Sequence, residues 1–114
     1  MTVKVVIGIL VVLLAVYFLF MRGGDVKGPD ARKLVEAGAR LVDVRSQEEF
    51  DSSHLPGAIN IPVSELDRRL GELGPKDQPI VVYCRSGARS GSAARTLKGA
   101  GFQAVHNLGP MSQW

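Results

Sequence analysis

The side chain with the most chemistry to offer is Cys84, the lone cysteine of the chain. It follows the apolar run Pro79-Ile80-Val81-Val82-Tyr83 and precedes Arg85-Ser86-Gly87-Ala88-Arg89-Ser90. A thiolate is a strong nucleophile, and a free cysteine, ionising near about 8.5, becomes one more readily beside cations or a helix N-terminus. The small residues Ser86, Gly87 and Ala88 let the backbone curl so that N–H groups face the sulfur. Such a nest, backed by the start of a helix, holds anions. Arg85 and Arg89 add positive charge, and the nearest preceding acid is Asp77. The spacing therefore predicts an ionised Cys84 as nucleophile, with Arg85, Ser86, Gly87, Ala88 and Arg89 binding a small anion. A cysteine closing a buried strand is otherwise commonly an inert small hydrophobe; the glycine-containing, arginine-flanked loop sets this one apart.

That loop needs a strand before it and a helix after it. Residues 79–83 form a continuous apolar run, the pattern of a strand covered on both faces in a parallel sheet. Ser90–Lys98, rich in alanine, reads as a helix. Upstream, Pro29-Asp30 opens a helix that Gly38 stops, and Ala39–Val44 reads as a strand. Glu48–Asp51 fits one helical turn, and Ile59–Ile61 a short strand. Ser64 is placed to N-cap a helix over Glu65–Leu70, and Ala104–Asn107 reads as the last strand. This alternation predicts an α/β domain, a mainly parallel sheet with helices on both faces. Cys84 then lies at the carboxyl edge of the sheet, where such folds bind ligands.

Composition narrows the alternatives. A chain of 114 residues with a net charge of +3 is too weakly basic to argue for nucleic acid. One cysteine excludes an internal disulfide, a dithiol redox pair and a multi-cysteine zinc knuckle; neither metal nor cofactor is expected. No carboxylate follows Asp77, so the last third of the chain is a field of positive sign.

The amino-terminal stretch differs from the rest. Val5–Met21 (VVIGILVVLLAVYFLFM) carries no charge and is apolar on every face, unlike an interfacial amphipathic helix. Residues 3–21 would make roughly 28 Å of helix at 1.5 Å per residue, close to the roughly 30 Å of a hydrocarbon core. Tyr17, Phe18 and Phe20 gather toward one end, as interfacial aromatics do. No small-residue cleavage site follows. The expectation is an uncleaved transmembrane anchor over 1–21, a flexible Gly-rich tether over 22–29 and a soluble domain over 30–114. Arg22, Lys27, Arg32 and Lys33 outweigh Lys4, so the positive-inside bias places a single-pass protein in the cell membrane with its domain in the cytoplasm.

Cys84–Ser90 (CRSGARS) resembles the active-site loop of the rhodanese family, the single-domain sulfurtransferases. Leu41–Arg45 (LVDVR) with Glu48-Glu49-Phe50, His54–Pro62 (HLPGAINIP) and Asn107–Trp114 (NLGPMSQW) agree with it in the same order. The resemblance covers residues 30–114. It implies a rhodanese-like fold and a sulfurtransferase in which Cys84 takes the outer sulfur of a donor such as thiosulfate. Cys84 would hold that sulfur as a persulfide and pass it to cyanide, a thiol or a protein acceptor. Arg85 and Arg89 would attract the dianionic donor, with Arg89 at the family's loop-closing position. Asp43, Arg45 and His54 read as structural neighbours, with an Arg45–Glu49 ion pair fixing the turn, and Trp114 as a cap on the core. Two other readings stay open: a non-catalytic membrane-tethered interaction module, and a cysteine phosphatase or arsenate reductase. The four residues between Cys84 and Arg89 enclose less volume than the five of phosphatase loops.

Overall fold

A computed structural model describes residues 2–22 and 24–114, without the side chains of residues 18–22. The chain forms α1 (Val3–Arg22), α2 (Gly28–Glu36), β1 (Arg40–Asp43), α3 (Gln47–Ser52), β2 (Ile59–Asn60), β3 (Ile80–Cys84), α4 (Ala88–Gly99) and β4 (Val105–Pro110). The four strands pair in the order β2-β1-β3-β4, every pair parallel.

β3 is central, and all five of its residues are buried. Because side chains alternate across a strand, Ile80, Val82 and Cys84 enter one core with Ala93, Ala94 and Leu97 of α4. Val81 and Tyr83 enter the other, with Ala31 of α2, Leu41 and Leu108. One continuous apolar run thus serves two cores, which is why β3 does not alternate in sequence.

The remaining elements follow local rules. Pro29 stands in the first turn of α2 with Asp30, where a missing N–H costs nothing and a carboxylate suits the dipole. Gly38, at φ +108°, ends that turn. Ser46 starts α3 with a capping box: its hydroxyl accepts from the Glu49 N–H while the Glu49 carboxylate accepts from the Ser46 N–H.

Three expectations are corrected. The helix expected over Glu65–Leu70 is instead two 3₁₀ stretches, Val63–Arg68 and Leu70–Leu73. The Val63 N–H is donated to the carbonyl of Val44, so the turn begins after Pro62 and Ser64 lies inside it rather than capping it. β4 runs past Asn107 to Pro110, because Val82 pairs with Asn107 but Tyr83 with Gly109. Leu108 is the extra residue of that bulge, and it brings Pro110 level with Cys84. The Gly-rich tether, finally, is not free. The N–H groups of Asp25 and Val26 donate to the Asn107 carbonyl at 2.7 and 3.2 Å, and the Asn107 N–H donates to Asp25 Oδ1 at 2.6 Å.

Gly23 lies outside the described residues, as do the side chains of Phe18, Phe20 and Arg22 invoked for the membrane boundary. Among the described residues, no helix is long and apolar enough to cross a membrane.

Candidate active site

Cys84 ends β3 and Gly87 caps α4; the polypeptide turns between them in Arg85 and Ser86. Gly87 makes that turn possible, because its φ of +102° is left-handed, a conformation side-chain-bearing residues avoid. The helix starts at Ala88, two residues before the expected Ser90, so its first turn lies beneath the loop.

The sulfur of Cys84 is fully buried. The Gly87 N–H donates to Cys84 Sγ at 2.9 Å, and the Ser90 Oγ lies 3.4 Å from the same sulfur. Ser90 also donates its hydroxyl to the Gly87 carbonyl at 3.1 Å, which locks the loop onto the first turn of α4. With its proton given to Gly87, the Ser90 oxygen accepts from the Cys84 thiol; among the described residues the one donor aimed at the sulfur is the Gly87 amide, where the sequence predicts several. Ser90 is the site residue sequence reasoning passed over. Its signal was the position three residues after the Gly87 cap, where a hydroxyl reaches back to a helix start.

The flanking groups divide. Arg85, Ser86 and Ala88 are exposed, and Arg85 has no ion-pair or hydrogen-bond partner among the described residues. Arg89 is held by Glu49 of α3: Nη1 to Oε1 at 2.6 Å and Nη2 to Oε2 at 3.0 Å. The pair leaves its mark on both groups. The Glu49 carboxyl is brought from 4.5 down to about 2 by the Arg89 guanidinium, with Ser46 assisting. Arg89 is pushed above its ordinary value, first by its hydrogen bonds to Glu49, against the opposing effect of burial.

The expected Arg45–Glu49 pair is therefore corrected. Arg45 instead chelates Asp43, with Nη2 2.7 Å and Nε 3.0 Å from Oδ2 and the backbone N–H 2.8 Å from Oδ1. Nη2 also donates to the Ser53 carbonyl at 2.6 Å. Arg45 precedes α3 rather than lying on it, so the i,i+4 spacing to Glu49 has no helical geometry behind it. Both Asp43 and Arg45 are buried, and Asp43 holds the guanidinium above its ordinary pKa. Beside them the hydroxyl of Tyr83 accepts the Leu55 N–H at 3.1 Å; burial pushes its pKa up.

His54 serves the fold. Its ring stacks on Phe50 at 3.7 Å and 7°, and Nδ1–H donates to the Phe50 carbonyl at 2.9 Å. Trp114 packs against the core that contains Tyr83, as expected of a cap. A cavity of about 270 Å³ lies among Gly38, Arg40, Gly57, Ile59 and Gln78, at the opposite end of the strands from Cys84.

A buried cysteine at the carboxyl edge of a parallel sheet, under a short loop that aims an amide at its sulfur, defines a class of single-thiol α/β proteins. Residues 29–114 match the model of the rhodanese-like domain, and the chain belongs to that family. It is 38% identical over 76 residues to the thiosulfate sulfurtransferase PspE of Escherichia coli, covering 66% of this chain and 73% of that one. It is 34% identical over 102 residues to the human thiosulfate:glutathione sulfurtransferase, covering 75% and 88%. The solved structure of the human single-domain sulfurtransferase TSTD1 superposes with a TM-score of 0.70 at 32% identity, covering 78% of this chain and 92% of that one. Other relatives are longer: the chain spans 40% and 60% of two Bacillus subtilis proteins that it matches at 44% and 43% identity.

Proposed function

We propose that the protein is a sulfurtransferase that moves a sulfane sulfur through a persulfide on Cys84, with thiosulfate as donor. The thiolate attacks the outer sulfur of thiosulfate. A Cys84 S–S bond forms, the donor's S–S bond breaks, and sulfite leaves with the electron pair. An acceptor thiolate then attacks the outer sulfur of the persulfide and leaves carrying it, and the Cys84 thiolate is restored. The chain has one cysteine, so the acceptor comes from outside. The observation that carries the reading is the Gly87 N–H at 2.9 Å from Sγ, a donor already aimed where negative charge sits before and after each step. Arg85, exposed and without a partner among the described residues, is a cation free to meet a dianion; Arg89 is committed to Glu49. That commitment also weighs against phosphatase chemistry, which needs such an arginine free for phosphoryl oxygens.

Mass spectrometry after mixing with thiosulfate tests this. One added sulfur on Cys84, absent in Cys84→Ser, is the expected result. An unmodified wild-type protein would leave an interaction module instead.

Residues 3–21 we propose as a single membrane span with the domain on the cytoplasmic side. The described side chains end at Tyr17, but the uncharged sequence continues through Phe18-Leu19-Phe20-Met21, and the α1 backbone is helical to Arg22. At 20 residues its length suits a bilayer. Resistance to carbonate extraction, with domain proteolysis only after the cytoplasmic face is opened, is the expected outcome.

A further inference from the structure

β4 is an edge strand, and an unpaired edge is normally covered or blunted. Here the segment that follows α1 covers it. Asp25 and Val26 donate to the carbonyl of Asn107 and Asp25 accepts its N–H. Two glycines allow this close approach. A Cβ at Gly24 would collide with the backbone of Asn107 and Leu108, and one at Gly28 with that of Gln113. Val26 packs into the core beside Met111 and Trp114. From Gly24 onward the chain is part of the domain, leaving Gly23 between it and the end of α1. Two residues of fully extended chain span at most about 7 Å, so no spacer holds the domain away from whatever surrounds the end of α1.

The side chains around this strap share a sign. Lys27, Arg95 and Lys98 are exposed. Lys98 Nζ lies 3.8 Å from Asp25 Oδ2. Gly91, in the turn of α4 before Arg95, faces both the Arg95 guanidinium and the Asn107 side chain. Neither α4 nor β4 contains a carboxylate; the acids flanking the strap in the chain are Asp25, paired with Lys98, and Asp30 in the first turn of α2 after Lys27.

We propose that the strapped β4 edge, with Lys27, Arg95 and Lys98, is a membrane-facing surface that lies against anionic lipid headgroups. The inference rests on the reading of residues 3–21 as an anchor. It makes a fixed edge out of what the sequence presents as a loose leash. Pro110 is in register with Cys84, and strands lie roughly 4.8 Å apart. The sulfur is thus about two strand spacings, on the order of 10 Å, inside the strap. An acceptor held at the membrane surface would meet it there, whereas a leash would let the site range freely.

Trp114, the single tryptophan, packs in the same core as Val26 and reports the distance. The full chain is reconstituted in vesicles of equimolar phosphatidylcholine and phosphatidylglycerol carrying a nitroxide quencher at the headgroup. Its fluorescence is compared with that in unlabelled vesicles of the same lipids. The expected result is a fall of about twofold that is measurably smaller in about 1 M salt, where the screening length is about 3 Å, and in the K27E/R95E/K98E variant. The salt arm uses the wild-type chain and so does not depend on the variant folding. Equal fluorescence with and without quencher, in a chain that floats with the vesicles, overturns the membrane-facing edge and leaves the anchor standing. A chain that does not float overturns the anchor and this surface with it.

Discussion

Glu49→Gln removes the charge that holds Arg89 while keeping the shape of the side chain, and its effect on stability has a definite pH dependence. A carboxyl carried from 4.5 to about 2 corresponds, taken whole, to about 3 kcal/mol. The two side chains are 36% and 29% exposed, however, and water screens such a pair, so about 1 kcal/mol is the realistic size. The folded-state pKa is depressed, so this stability is fully present above pH 4.5 and is lost as the pH falls toward 2. Urea unfolding of the soluble region within the full chain in detergent, followed by Trp114 fluorescence, measures it. At pH 7 the variant should be less stable by about 1 kcal/mol, and the gap should close as the wild type loses its own carboxylate on acidification. A gap that stays constant between pH 7 and pH 3 would show that the loss is one of packing, and the ion-pair account of the loop would be wrong.

The other outcomes concern the loop and its base. Arg85→Ala should lower kcat/KM for thiosulfate by about fivefold at low ionic strength, about 1 kcal/mol for charges meeting in water, with the difference shrinking as salt is added; a salt-independent loss would refute a steering role. Gly87→Ala forces a side chain into φ +102° at a cost of about 1–2 kcal/mol, so sulfur loading read by mass spectrometry should slow markedly. Asp43→Asn leaves the Arg45 guanidinium buried without its counter-charge, and a loss of about 3–5 kcal/mol in unfolding free energy is expected.

How much of this the sequence disclosed depended on range. The strand carrying Cys84 and the helix after it were legible because each obeys a local rule: a continuous apolar run for a two-sided strand, and small residues before an alanine-rich segment. The partner of Arg89 was not, since Glu49 lies 40 residues away in the chain and only the tertiary fold brings them together. A local spacing rule pointed instead to Arg45, in an extended segment where that rule does not hold. The strap failed for a related reason. Glycines at positions 24 and 28 read as flexibility, yet both are there because neighbouring backbone leaves no room for a Cβ. The bulge at Leu108, which sets Pro110 beside Cys84, leaves no trace in a pattern of apolar residues.

The burial of Cys84 also constrains how it is loaded. An S–S bond is about 2.05 Å long, whereas the Gly87 nitrogen already stands 2.9 Å from Sγ. An outer sulfur placed between them would require the loop to widen. Once widened, the same amide can transfer its hydrogen bond to the new terminal sulfur, which now carries the charge. A single sulfur needs a smaller opening than a phosphoryl group with its surrounding oxygens, so a loop that opens slightly selects by size. The Arg89–Glu49 pair in turn ties the first turn of α4, onto which Ser90 locks the loop, to α3.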